Sequence, residues 1–332
     1  MKLFARVAGS LAIVVLLAAS LGAGLARTSP AHPKAVRVAL TGATSPASPI
    51  QAIRWGSARF LVGGVVVNVA SFDTAIKEHI NLRMVFMNWG STYFPAAEIR
   101  RNASMGAQSV LELMPRNQSL VGIGDPGITV YNHWLRSFLA PNIARLRIPI
   151  TISFGSEMNG PWYSWGGAHF KPSIFIRAWR HVHDLLSGTN AGPLITWMWQ
   201  PSAIHFSTPS PVPWWPGARY VNIIGLDGYF VLPRDNFDVI FQKTINRMRA
   251  KTTVPIMVGE TSIGWHTGHA LLDMQRLFRG IRRFHLKGLV WFNIHQHSTS
   301  IYHEDWRIQD RPWLQRSLTR QVTWTEQLRN VP

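Results

Sequence analysis

Eight short apolar runs recur along the chain, and most are separated by segments with apolar residues at helical spacing. The runs are continuous rather than alternating, which is typical of strands buried on both faces of a parallel sheet. They lie at residues 60–67, 83–88, 108–114, 149–155, 194–199, 221–226, 254–259 and 288–292. Eight strand–helix units predict a (β/α)8 TIM barrel. A doubly wound sheet has fewer strands and an early glycine-rich phosphate turn, which this sequence lacks.

The helical segments between these runs have clear boundaries. We predict helices at residues 72–81, 96–105, 128–147, 173–186, 237–250 and 269–285, with a last helix from Arg311 onward. Pro172 and Ser173 form a favourable helix start. The sequence therefore predicts one barrel domain over residues 53–332, with no second domain.

The N-terminal residues differ in composition from the barrel. Residues 1–26 combine two early basic residues, Lys2 and Arg6, with an apolar stretch that ends in small residues, which is typical of a secretory signal peptide. The alternative is an uncleaved N-terminal anchor, since this stretch is just long enough to span a bilayer. Residues 27–52 are rich in Pro, Ser and Ala and read as a linker. We therefore expect a secreted protein.

Composition limits the function classes further. The 332-residue chain has no cysteine, which excludes disulfides, thiol catalysis and cysteine-ligated metals. Lys and Arg number 34 against 16 Asp and Glu, a net charge of +18, but no dense basic tract of the nucleic-acid type is present. We expect no nucleic-acid partner and a monomer, with contact to an anionic cell surface as one use of the positive charge.

Carboxylates are scarce, yet several follow predicted strands. Glu157 follows the fourth strand, Asp227 and Tyr229 follow the sixth, and Glu260 follows the seventh. Catalytic groups of such barrels lie at the carboxyl ends of the strands. One acid and one carboxylate on opposite faces of a sugar are the pair that cleaves a glycosidic bond, and opposite strands of a small barrel suit the short separation of a retaining enzyme. A tyrosine such as Tyr229 can hold the nucleophile in place.

The segment around the first glutamate carries a family resemblance. Residues 156–166, SEMNGPWYSWG, resemble the acid/base motif of glycoside hydrolase family 26, a retaining family with its glutamates on barrel strands four and seven. Shorter matching pieces follow in order, namely Gly124-Asp125, Pro216-Gly217, Asp227-Gly228-Tyr229, Val258-Gly259-Glu260 and Asp305-Trp306-Arg307. The resemblance covers roughly residues 60 to 310 and implies β-mannanase-like activity.

The resemblance also implies residue roles. It makes Glu157 the general acid/base, Glu260 the nucleophile and Tyr229 the residue that positions the nucleophile. The implied substrate-binding residues are Ser156, Trp162, Tyr163, Trp165, Trp199, Asp227, Trp265, Trp291 and Arg307. The family usually has His directly before the acid, where this chain has Ser156, so the match is to a divergent branch.

The sequence therefore predicts a retaining endo-β-glycanase that cleaves β-1,4-mannan and needs no cofactor and no metal. His295 and His297, two positions apart and with His303 nearby, make only a weak metal signal. Three alternatives stay open. These are activity on β-glucan or β-1,3-xylan, an inactive polysaccharide-binding barrel, and a wall-associated structural protein attached through its charge.

Overall fold

The computed structural model describes residues 61–66, 69–76, 80–205, 208–295 and 305–329. Within them eight parallel strands pair in chain order and close into a barrel, with β1 hydrogen-bonded to β8. The strands are β1 Leu61–Val66, β2 Leu82–Asn88, β3 Gln108–Met114, β4 Ile150–Phe154, β5 Ile195–Trp199, β6 Ile223–Asp227, β7 Ile256–Thr261 and β8 Gly288–Asn293. The predicted TIM barrel and its eight strands are confirmed. The predicted signal segment and linker lie outside the described residues.

Helices surround the barrel and follow the predicted order. Their bounds are α1 Val69–Ile76, α2 Ala96–Ser104, α3 Leu120–Ile123, α4 Thr129–Trp134, α5 Ala140–Leu146, α6 Pro172–Ser187, α7 Lys243–Arg249, α8 Ala270–Arg283 and α9 Pro312–Arg329. None of the helices among the described residues is long and apolar enough to cross a bilayer.

Two of the predicted helices contain a π-helical turn. The segment predicted at 128–147 is α4, a π turn at Leu135–Leu139 and then α5. Pro141 lacks the N–H that would donate to the carbonyl of Ser137, which accounts for the widened turn. The segment predicted at 237–250 begins with a π turn at Asp238–Gln242 before α7. The prediction of one regular helix was wrong in both places.

The barrel has an inner and an outer apolar layer. The inner layer fills the barrel and includes Met84, Val110, Met198, Met257 and Phe292. The outer layer, between the strands and the helices, is larger. Neighbouring residues of one strand alternate between these layers because strand side chains alternate in direction. This alternation decides which strand residues face the site at the carboxyl end of the barrel.

Candidate active site

The chain changes direction sharply after β4 and so places Glu157. Gly155 and Glu157 both have left-handed backbone conformations, with φ of 57° and 52°, respectively. For a non-glycine residue this conformation is disfavoured and is found mainly where the surroundings enforce it. The Glu157 N–H donates to the carbonyl oxygen of Gln200 at 2.7 Å, which anchors the turn to the end of β5. Glu157 is thereby held 5 % exposed at the barrel rim.

Among the described residues, Glu157 has one side-chain hydrogen bond. The indole Nε1–H of Trp162 donates to Glu157 Oε2 at 2.8 Å. Trp162 is half-buried, so one part of its ring still meets solvent. The structure thus places Trp162 directly at the predicted acid, where the sequence put it.

Glu260 lies near the end of β7 and is hydrogen-bonded to the segment that follows β6. The Tyr229 hydroxyl donates to Glu260 Oε2 at 2.6 Å, and both side chains are buried. Beside them, Gln200 Nε2 donates to the two carboxylate oxygens of Asp227 at 3.2 and 3.1 Å. Tyr229 is therefore in position to orient Glu260, while Asp227 is bound to a neighbouring strand end.

The backbone leaves space for Asp227 only because residue 259 is glycine. A Cβ on Gly259 would lie 2.5 Å from Asp227 Oδ1 and 2.9 Å from the carbonyl carbon of Gly225. The register between β6 and β7 shifts at this point, between Leu226 and Asp227. Such irregularities redirect side chains near active sites, and this one places Asp227 opposite Glu260.

Two of the three predicted catalytic residues, Glu157 and Glu260, line one pocket, and Tyr229 contacts it through its hydrogen bond to Glu260. Its lining residues are Phe86, Glu112, Met114, Arg116, Ser156, Glu157, Tyr163, Asp227, Glu260 and Phe292. Both glutamates therefore face the same space at the carboxyl end of the barrel.

Burial and mutual repulsion raise the proton affinity of the carboxyl groups in this pocket. Burial, followed by the charge of Glu260, raises the pKa of Glu157 to about 8, and the Trp162 hydrogen bond opposes the rise. Burial raises the pKa of Glu260 to about 7, and the Tyr229 hydrogen bond opposes the rise. Burial also raises the pKa of Asp227 well above its ordinary value. Burial therefore favours the neutral form of all three carboxyls.

The sequence prediction missed Glu112. It lies in the middle of β3, is buried, and accepts a hydrogen bond from Ser156 Oγ at 2.5 Å. Residue 112 lies two positions after Val110, which faces the barrel interior, so strand alternation places the Glu112 side chain on the same side. This alternation is the sequence signal that could have located it. Ser156 was predicted to bind substrate, and the structure shows it bound to Glu112 at the pocket.

For three of the predicted sugar-binding residues, the burial of the side chain contradicts the prediction. Trp165 is 1 % exposed, stacks on Tyr163 and donates from Nε1 to the carbonyl of Ser156. Trp199 and Trp291 are fully buried in the outer layer between strands and helices. None of these three rings offers a surface to a sugar. On β8 the aromatic residue that lines the pocket is Phe292, one position after the predicted Trp291.

The remaining predicted contacts lie in different places. Tyr163 is half-buried and lines the pocket. Trp265 is half exposed, with the Arg311 guanidinium 4.8 Å from its ring centre. Arg307 forms ion pairs with Asp305 and Asp310. Neither Trp265 nor Arg307 lines the pocket, so their predicted contacts with substrate stay predictions.

Within the described part of the chain, no group of three or more His, Asp or Glu side chains has a metal-binding arrangement. Of the three histidines considered above, His295 is described, while His297 and His303 lie outside the described residues. The absence of a cofactor stays a prediction.

Sequence comparison links the centre of the chain to a known family. Residues 137–265, which include both glutamates, match the model of glycosyl hydrolase family 26. A mannan endo-1,4-beta-mannosidase of Bacillus subtilis (strain 168) is 23% identical over 176 residues, 48% of this chain and 45% of that protein. The mannan endo-1,4-beta-mannosidase A and B of Caldalkalibacillus mannanilyticus is 28% identical over 88 residues, 25% of this chain and 17% of that protein. The chain thus matches less than half the length of these curated relatives.

Solved structures share the barrel. A modular endo-beta-1,4-mannanase from Cellulomonas fimi superposes with a TM-score of 0.60 at 14% identity, covering 78% of this chain and 70% of that one. A mannanase from Bacillus subtilis superposes with a TM-score of 0.56 at 15% identity, covering 79% of this chain and 85% of that one. At such low identity these likenesses establish the fold.

The fold and the site define a (β/α)8 barrel with buried glutamates at the carboxyl ends of β4 and β7. Residues 137–265 match glycosyl hydrolase family 26, and the chain is similar to curated mannan endo-1,4-beta-mannosidases.

Proposed function

We propose that the protein is a retaining endo-β-glycanase that hydrolyses β-1,4-mannan. The observation that carries the proposal is the pair of buried carboxyls in one pocket, Glu157 and Glu260, with pKa values raised to about 8 and about 7. A glycosidase needs one carboxyl that keeps its proton and a second that is ionised. The higher value falls on Glu157, the residue that resembles the acid.

The two carboxyls divide the reaction into two displacements. First, Glu157 gives its proton to the glycosidic oxygen while the Glu260 carboxylate attacks the anomeric carbon. The bond to the leaving sugar breaks and an ester to Glu260 forms. Then ionised Glu157 takes a proton from water, and the water oxygen displaces Glu260 from the same carbon. Both side chains return to their starting states, and the anomeric configuration is retained.

The neighbours of each glutamate support this division of roles. Tyr229 donates to Glu260 Oε2, which stabilises the ionised form of the attacking group. Glu260 in turn raises the pKa of Glu157 by its negative charge, so the two groups interact across the pocket. When Glu260 becomes an ester, that charge is lost and the pKa of Glu157 falls. Glu157 then changes from acid to base, as the second step requires.

Mannan is the proposed substrate because the curated relatives that match this chain are named mannan endo-1,4-beta-mannosidases. Half-buried Trp162 and Tyr163 beside Glu157 are the aromatic groups placed to meet sugar C–H faces. We further propose that the protein acts outside the cell as a monomer on a polysaccharide.

The test is reducing-end release by the purified protein from galactomannan, barley β-glucan, laminarin and β-1,3-xylan. The assay is run beside Glu260→Gln and Glu157→Gln. The control is Glu98→Gln, at an exposed position on α2. The proposal expects release from galactomannan that both pocket variants lose and the control keeps. Release from another polymer would change the substrate. A folded protein with no release from any polymer would refute the enzyme and favour a polysaccharide-binding barrel.

A further inference from the structure

Glu112 is a buried carboxyl of the pocket for which the two-glutamate mechanism has no role. Its register partners are Phe86 on β2 and Ser153 on β4, and Phe86 also lines the pocket. The side chain is 3 % exposed. A buried carboxyl is costly unless its oxygens are satisfied or used, so its presence inside the barrel requires an explanation.

The two oxygens of Glu112 have different surroundings. Oε1 accepts the hydrogen bond from Ser156 Oγ. Oε2 is buried and has no hydrogen-bond partner among the described residues. A carboxyl that serves only to hold the fold together would have both oxygens satisfied. The free oxygen belongs to a residue that lines the same pocket as Glu157 and Glu260.

The charged groups around Glu112 favour its neutral form. Burial has the largest effect, followed by the negative charge of Glu260 and, more weakly, Glu157, and these raise its pKa well above the ordinary value. The Ser156 hydrogen bond and the Arg116 guanidinium oppose the rise. Since Oε1 accepts from Ser156, the proton of neutral Glu112 lies on Oε2. A buried neutral carboxyl of this kind can act as a hydrogen-bond donor.

We propose that Glu112 is a third functional carboxyl of the pocket, which donates a hydrogen bond from Oε2 to an oxygen of the sugar bound between Glu157 and Glu260. This inference rests on the proposed function. Through Oε1, Glu112 also holds Ser156, the residue directly before Glu157. One side chain thus contacts the substrate and steadies the backbone that presents the acid.

The kinetic test compares Glu112→Met, which removes both hydrogen bonds at similar volume, with Glu112→Gln. The glutamine oxygen can still accept from Ser156, and its NH2 takes the place of the acid proton. Because one hydrogen bond changes binding by about tenfold, we expect Glu112→Met to raise KM for galactomannan about tenfold or more. Glu112→Gln should recover most of that loss. Glu98→Met, at an exposed position on α2, is the matched control and should keep the parent KM.

The proton itself has a test that needs no turnover. The infrared difference spectrum of parent minus Glu112→Gln at pH 7 should contain the C=O band of a protonated carboxyl. A spectrum with only the bands of an ionised carboxylate would overturn the donor role, whether or not the protein is active.

The outcomes separate the two proposals. An active parent with an unchanged KM in folded Glu112→Met overturns the contact between Glu112 and substrate and leaves the glycanase standing. An active parent for which Glu112→Gln is as impaired as Glu112→Met also overturns it, because the neutral donor would then not be the required group. A folded parent that releases sugar from no polymer refutes the proposed function and, with it, the sugar contact.

Discussion

Tyr229 Oη lies 2.6 Å from Glu260 Oε2 and donates a hydrogen bond to it, which joins the segment after β6 to the carboxyl group on β7. Both residues are buried. Since a donor stabilises the ionised form of a carboxyl, this contact keeps the pKa of Glu260 lower than burial alone would set it. The hydrogen bond therefore favours the ionised form of Glu260, which an attacking carboxylate requires.

Removal of this donor should move the acid limb of the pH–rate profile. In Tyr229→Phe the pKa of Glu260 rises, so a larger fraction of the enzyme holds a protonated nucleophile at a given pH. We expect kcat/KM to fall about tenfold or more and its acid limb to shift to higher pH. Exposed Tyr93 offers the matched control, and Tyr93→Phe should keep the parent profile. An unshifted acid limb in Tyr229→Phe would contradict the assignment.

The hydrogen bond from Trp162 should set the position of the alkaline limb of the pH–rate profile. Its indole N–H lowers the pKa of Glu157, so Trp162→Phe should raise that pKa and extend activity to higher pH, while the lost contact with the acid lowers kcat. The pH dependence of kcat/KM measures the shift. Trp313→Phe, at an exposed position on α9, is the control for loss of an indole. An alkaline limb that stays in place or moves to lower pH would contradict this effect of the hydrogen bond.

Gly259 should tolerate no side chain. A Cβ there would press on Asp227 Oδ1 and on the backbone of Gly225, so Gly259→Ala should lower the free energy of unfolding by about 1–3 kcal/mol and reduce kcat as Asp227 is displaced. Gly188→Ala is the control, because its Cβ would meet its nearest neighbour at an ordinary 3.5 Å. Urea unfolding of the two variants makes the comparison. Equal free energies of unfolding in the two variants would mean that Asp227 and Gly225 can move away from the added Cβ at no cost, which would contradict the prediction.

Stability should fall as pH rises through the neutral range. Glu157 and Glu260 have raised pKa values in the folded protein, so the native state holds more protons than the unfolded chain from about pH 4.5 upward. Their contribution is fully present below that pH and is lost as pH rises through 7 and 8. We expect Glu260→Gln to exceed the parent in free energy of unfolding at pH 9 by about 1–3 kcal/mol. The advantage should vanish at pH 4.

The control for that experiment is exposed Asp310→Asn, which should follow the parent at both pH values. A parent protein whose free energy of unfolding is constant from pH 5 to 9 would contradict the raised pKa values of Glu157 and Glu260.

The sequence predicted the barrel well because continuous apolar strands and helical spacing are local signals. The same continuity hid the direction of each side chain. Trp291 and Phe292 are both apolar and adjacent, and only the closed barrel shows that Phe292 faces the pocket and Trp291 the helices. For the same reason Trp199 was expected in the cleft and lies in the outer layer.

The glutamates could be located from sequence because each follows an apolar strand at the rim. Glu112 lies within a strand instead, and its link to Ser156 spans 44 positions. No pattern in the chain indicates that contact. The order of the pKa values of Glu157 and Glu260 was equally out of reach, since it depends on the donors Trp162 and Tyr229 and on burial in the folded pocket.

In the proposed mechanism Glu260 forms a covalent bond with the sugar. The most direct measurement is the intact mass of the protein after reaction with a 2-fluoro-substituted mannoside that bears an activated leaving group, followed by peptide mapping. We expect a gain of one fluoroglycosyl group, located on the peptide that contains Glu260 and absent in Glu260→Gln. Turnover of mannan by a protein that gains no mass, or that carries the label on Glu157, would contradict it.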